Sequence, residues 1–191
     1  MAYRNPISRA VTLLALTTLI VSISPACSGR QPSQQPSESD GPTSQPASQQ
    51  PAPKPPARVG ETLELARIGD GRIAVTLQRV IEPATVSSFM NDPGKTYIAT
   101  ELTIRNIGAS TIVGDANNDV SVIGSDQHGY RADLATVAEC QNFTYGGFLL
   151  APDSSATGCV TFALPPGVSA VRIKYSPSSG LSHDVGEWSA H

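Results

Sequence analysis

The residues best spaced for chemistry lie in one short run, GDANNDVSVIGSD, residues 114–126. Asp115, Asn117 and Asp119 stand at alternate positions, and Asp126 falls twelfth counting from Asp115. That is the oxygen-donor spacing of a calcium loop. Two positions break the pattern. The sixth is Val120, where the sharp turn of such a loop needs glycine, and the twelfth is Asp where a bidentate Glu is usual. Val120 and Val122 also alternate as a strand would. The run reads as an Asx-rich turn whose side chains bond to nearby backbone. A weak calcium site on Asp115, Asn117 and Asp119 is the alternative.

Other reactive groups are scattered. His128, His183 and His191 form no HxxxH or Cys/His pair, so zinc spacing is absent. No G-x-S-x-G elbow is present. Serines are plentiful, but they crowd the N-terminal third and the loops. No nucleophile, base and orienting group are spaced as a set, so no enzyme and no cofactor is expected.

The three cysteines are Cys27, Cys140 and Cys159. Cys27 follows an apolar stretch, residues 10–23, that is preceded by Arg4 and Arg9. At 1.5 Å per residue this stretch reaches roughly 21 Å, short of the ~30 Å hydrocarbon core, and it fits a signal-peptide h-region. Residues 1–26 are therefore read as a signal peptide. If Cys27 becomes the first mature residue and carries a lipid, the odd thiol is accounted for and an even pair remains. Ser24-Pro25-Ala26 is atypical for a lipobox, so plain secretion is the alternative. In an exported chain Cys140 and Cys159 are expected to form a disulfide. It would close a loop of about 20 residues, worth roughly 3 kcal/mol in the chain-entropy model. Cys159 alternates opposite to Val160 and Phe162, which places the bridge across the outer face or edge of a sheet and not in the core.

The longest irregular stretch, residues 129–150, holds Tyr130, Phe143, Tyr145 and Phe148 close to the expected disulfide. Tyr and Phe are enriched at the centres of interfaces. This loop is the candidate binding surface; loop and core packing is the plainer alternative.

The elements that must position these groups separate by composition. Residues 28–57 are almost all Ser, Pro, Gln, Gly and Ala. Such a segment cannot bury enough surface to offset its ordering entropy, and with Cys27 it reads as a tether, residues 27–57. Its ~30 residues would reach roughly 90 Å if polyproline-like and about 30 Å as a flexible coil. From residue 58 onward the chain carries 9 Lys+Arg and 14 Asp+Glu, a net charge of -5 with no basic cluster. That argues against nucleic acid and against electrostatic docking on anionic lipid. The expected partners are a membrane, through the lipid anchor, and an unidentified protein or envelope ligand.

Residues 58–191 show β signals. RIAVTLQRV places Ile73, Val75 and Leu77 on one face; YIATELTIRN does the same with Ile98, Leu102 and Ile104. Val160, Phe162 and Leu164 share a face, as do Val171, Ile173 and Tyr175 against Arg172 and Lys174. Period-2 alternation with one polar face describes antiparallel strands over a core. Weaker candidates are residues 61–66, 120–124, 146–151 and a piece near Trp188. Gly69-Asp70-Gly71 reads as a tight hairpin. Seven or eight short strands without a helical stripe point to an all-β sandwich.

VGETLEL, GRIAVTLQRV, GKTYIATELTIRNIG, VSVIGSDQHGY, LLAPDSSATGCVTFALPPG and VRIKY together resemble a bacterial family of unknown function. Its members are mostly lipoproteins or secreted proteins, with an immunoglobulin-like β-sandwich similar to a secreted mycobacterial immunogenic protein. The resemblance covers residues 59–176. It implies an extracytoplasmic immunoglobulin-like domain and supplies no catalytic residue. Two functions follow as expectations: a cell-surface binding module of unknown ligand, anchored to the outer face of the membrane, or a small-ligand or calcium-sensing domain.

Overall fold

The computed structural model describes residues 55–87 and 89–191. The residues read as a signal peptide, Cys27 and nearly all of the expected tether lie outside the described residues. Strands β1 (Thr62–Ala66), β2 (Arg72–Ile81), β3 (Thr96–Asn106) and β8 (Ser155–Leu164) form one antiparallel sheet in the order β1-β2-β3-β8. A second antiparallel sheet has the order β10-β9-β5-β6, from β5 (Val120–Gly124), β6 (Gly129–Arg131), β9 (Ala170–Tyr175) and β10 (Gly186–Ser189). A ribbon of β4 (Ile112–Asp115) and β7 (Gly147–Leu150) lies beside them. The chain is an all-β antiparallel sandwich of the immunoglobulin-like kind. Among the described residues there are ten strands where seven or eight were expected.

The alternation seen in the sequence makes the core. Ile73, Val75, Leu77, Ile98, Leu102, Ile104, Val160, Phe162 and Leu164 from the first sheet are fully enclosed. They meet Val122, Ile173, Tyr175 and Trp188 from the second. The indole N–H of Trp188 donates to Glu61 O at 2.9 Å, so the largest buried ring leaves no unmet donor. Asn106, also enclosed, donates to Ser110 O and Leu150 O and accepts from the Gly108 N–H. The hairpin at residues 67–71 closes with Arg67 N–H donating to Gly71 O at 2.8 Å.

Three features depart from the expectation. Val171 does not join Ile173 and Tyr175 in the core: it is exposed, and Ala170 is buried in its place. The register of β5 on β9 jumps between Ile123 and Gly124, a bulge that adds one residue and turns Val171 outward. Ala57, grouped with the tether on composition, exchanges backbone hydrogen bonds with Glu187 and Ser189 beside β10. The expected Cys140–Cys159 disulfide is present and Cys159 does face away from Val160 and Phe162, but it is buried. The outer face of β3 and β8 at this point is roofed by the segments around Val86 and Val137. Ala99, Val137 and Cys159 there form a second small core, with Ile81, Ala84, Val86 and Cys140 against it. A bulge at Gln78, between Leu77 and Arg79, shifts Ile81 onto that outer face.

Candidate functional site

The calcium-type spacing folds as a capped helical turn followed by a strand, not as a calcium loop. Asp115 caps a one-turn helix, Ala116–Asp119, with its carboxylate accepting from the N–H of Asn117 (2.9 Å) and Asn118 (3.3 Å) and from the Asn118 amide (2.7 Å). Asp119 is buried, accepting from Tyr175 O–H at 3.0 Å and Ser179 N–H at 2.6 Å. Burial lifts the Asp119 carboxyl above its ordinary 3.8, against the pull of those two donors. The Tyr175 phenol is raised well above 10.0 by the same burial and by the neighbouring carboxylate. Strand β5 then carries Asp126 away, roughly 17 Å along at ~3.4 Å per residue. There Asp126 accepts from Tyr130 O–H (2.5 Å) and His128 N–H (3.1 Å). The Tyr130 bond lowers the Asp126 carboxyl, and the same bond raises the Tyr130 phenol. Among the described residues no three metal-binding side chains converge.

The four aromatics of the candidate loop separate. Phe143 and Phe148 are buried, their ring centroids 6.2 Å apart and tilted by 53°. This corrects the expectation that both present themselves to a partner. Phe143 sits over Gly158, where a Cβ would lie only 2.9 Å from its ring, so the glycine makes its seat. Phe148 covers Gly114 of the paired strand in the same way. Tyr130 packs half-buried on the core, its hydroxyl engaged by Asp126. Tyr145 alone projects, 90% exposed.

The mount of Tyr145 is built locally. Residues Thr144–Gly146 make a single 3-10 turn in which Tyr145 has φ 52 and ψ 28. A non-glycine residue in this left-handed region carries strain and persists only where its surroundings hold it. Gly146 follows with φ 80, and any side chain there would collide with Asp115 Oδ1 and with Asn117. Upstream, Phe143 is anchored in the core, Asn142 bonds to Val137 N–H and Thr161 Oγ1, and Cys140 is tied to Cys159. The helix cap, the glycine and the disulfide thus fix the backbone on both sides of the exposed ring.

Around this ring lie two grooves, of about 550 Å³ and about 450 Å³. Asn117, Leu134 and Tyr145 line both, so the grooves adjoin across these three side chains. Leu134 is itself 76% exposed. Further exposed apolar groups stand close by in the fold. Val113 and Leu149 face each other across the β4–β7 ribbon, on the solvent side. Arg67 donates to Val113 O at 2.8 Å and so joins the ribbon to the β1–β2 turn, where Ile68 is exposed. Ile68 N–H reaches Ser178 Oγ, next to the Asp119–Ser179 contact, and Leu181 follows on the same loop. Ile68, Val113, Leu134, Tyr145, Leu149 and Leu181 are six of the eleven exposed large hydrophobics among the described residues, and these contacts link the segments that carry them. Sequence reading singled out Tyr145 but missed the other five. The one available signal was Leu149, at an outward position in the weak strand candidate of residues 146–151.

A disulfide-pinned antiparallel sandwich with an exposed loop end defines the class: a β-sandwich domain. Residues 63–185 match the family described as Domain of unknown function (DUF4352), and the chain belongs to that family. Among solved structures it is similar to MPT63, a secreted protein from Mycobacterium tuberculosis. The identity is 14%, over 72% of this chain and 98% of that one, with a TM-score of 0.54. It is also similar to the ycdA protein from Bacillus subtilis, with 12% identity over 70% of this chain and 39% of that one and a TM-score of 0.47. A third is a β-sandwich protein from Clostridium difficile 630, at 13% identity over 72% and 97% of the two chains and a TM-score of 0.41. No curated protein matches the chain by sequence.

Proposed function

We propose that the protein is a membrane-tethered, extracytoplasmic binding module without catalytic activity, which presents one end of its sandwich to a component of the cell envelope. The observation that carries this reading is the gathering of Ile68, Val113, Leu134, Tyr145, Leu149 and Leu181 at that end. Singly exposed apolar residues are ordinary; a contiguous set marks an interaction surface. The core is complete without these side chains, so they are not exposed for want of packing. The location is supported by the n-region, apolar stretch and Cys27 of the sequence, and by a disulfide, which persists in oxidising compartments. The calcium-sensing alternative is the less supported of the two, because the Asp115 and Asp119 carboxylates already accept hydrogen bonds from protein donors. The test is co-sedimentation of purified Cys27→Ala protein, which lacks the anchor, with isolated envelopes. The protein sediments, and a Leu134→Ser/Leu149→Ser double variant does not. Equal sedimentation of the two, or none of either, refutes the reading.

A further inference from the structure

Among the exposed apolar groups Tyr145 is set apart by its surroundings. Its ring is flanked by side chains that can make hydrogen bonds and that no protein partner engages. The Asn117 amide, the Arg131 guanidinium and the hydroxyls of Ser121, Ser176 and Ser179 line the smaller groove. None of these side-chain groups has a hydrogen-bond partner among the described residues. Thr136 and Thr144 add hydroxyls to the larger groove. The site thus offers one flat, rigidly mounted aromatic face, an aliphatic wall in Leu134, hydroxyl and amide groups along both grooves, and a guanidinium in the smaller one.

That combination matches a particular ligand chemistry. A pyranose ring has an apolar face of C–H groups and an equatorial belt of hydroxyls. Its face gains dispersion and C–H···π contact on an aromatic ring, while its hydroxyls exchange hydrogen bonds with amide and hydroxyl side chains. A purely apolar ligand would leave the polar groups of the grooves unmet, at a cost in affinity. A polyanion is disfavoured by Asp115 at the groove wall and by the domain's net charge of -5. Because the two grooves share Tyr145, Leu134 and Asn117 as lining, a chain of sugars can run from one to the other with its central ring on the tyrosine. The strained turn lowers the cost of binding. A tyrosine has few side-chain rotamers to lose, and here the backbone is already fixed by Gly146 against Asp115 and by the disulfide.

We infer that the cleft around Tyr145 is an oligosaccharide-binding site, with Tyr145 the stacking platform and Asn117, Arg131 and Ser179 the hydroxyl-directed contacts. This rests on the binding-module reading and names its ligand class. The test is amide chemical-shift mapping of the purified, isotopically labelled protein. The probes are cellotriose, maltotriose, mannotriose, chitotriose and soluble fragments of the envelope glycan. At least one probe moves the signals of Asn117, Leu134, Tyr145 and Ser179. Tyr145→Ala weakens that binding roughly tenfold or more, the scale of a lost stacking contact, and Tyr145→Trp retains it. Silence from every probe, shifts centred elsewhere, or unaltered binding by Tyr145→Ala overturns the assignment. The two proposals fail separately. Leu134/Leu149-dependent envelope binding with no sugar response leaves a module whose ligand is a protein. A sugar response at Tyr145 without envelope sedimentation leaves the site and removes its proposed place of action.

Discussion

Phe143 and Tyr145 are two residues apart and chemically alike, yet the structure gives them opposite duties, and substitution by alanine separates them. Phe143 is only 9% exposed and meets Phe148 and the backbone at Gly158. A buried aromatic side chain removes about 150 Å² or more from water, which at about 25 cal/mol per Å² is roughly 4 kcal/mol. The methyl that alanine keeps, and the partial burial already present in the unfolded chain, lower this. The unfilled space above Gly158 raises it again, so the expected loss is about 3 kcal/mol, at the low end for Phe→Ala in cores. For a domain of this size that corresponds to a fall in Tm of roughly 10 °C. Tyr145, 90% exposed, buries almost nothing, and Tyr145→Ala stays within about 0.5 kcal/mol of wild type. Urea unfolding followed by Trp188 fluorescence measures both. A loss below about 1 kcal/mol for Phe143→Ala, or a loss for Tyr145→Ala as large as that of Phe143→Ala, refutes the reasoning that places one ring in the core and the other in solvent.

Removal of the disulfide by Cys140→Ala/Cys159→Ala lowers stability by about 3 kcal/mol, from the loop of 19 residues' separation, and unfolding curves with and without reductant check it. Asp119 gives a pH signature. Its folded-state pKa is raised by burial, so the native state takes up a proton more readily than the unfolded chain. Its stabilising contribution is full below the ordinary 3.8 and is lost as pH rises through the raised value. The Tm difference between wild type and Asp119→Asn therefore moves in favour of wild type as the solution is acidified through that window. A flat or opposite trend in a series of melting curves would show that the Tyr175 and Ser179 donors outweigh burial. Cys27→Ala abolishes fatty-acid labelling and detergent partitioning of the protein; unchanged labelling would leave plain secretion as the reading of the N-terminus.

How much of this was legible in the sequence follows from how each element is specified. Strands β2, β3 and β8 have ten, eleven and ten residues, long enough for period-2 alternation to stand out, and their inward residues are enclosed as read. β4 and β6 have four and three residues, too few to show a period, and they were missed. Val171 was misplaced because a bulge inverts the alternation, and nothing in AVRIKY marks where a ladder gains a residue. The disulfide partners were readable from cysteine arithmetic. The burial of Cys159 was not, because it depends on segments near Val86 and Val137 that come from distant parts of the chain. The candidate loop has no periodicity, so sequence could name its aromatics but not sort them. The sorting is done by glycines at 114 and 158, which seat Phe148 and Phe143, and by Gly146, which turns Tyr145 outward.

The most direct test of the central claim is to place a photo-crosslinking side chain at position 145 and, separately, at position 171, in the intact protein in its own cells. Val171 is exposed on the outer face of β9 and serves as the control for mere surface proximity. Crosslinking from position 145 to envelope material, with none from position 171, is the result the binding end around Asn117, Leu134 and Tyr145 requires. Crosslinks from position 171 and none from position 145 would contradict it and move the functional surface to the face of the second sheet.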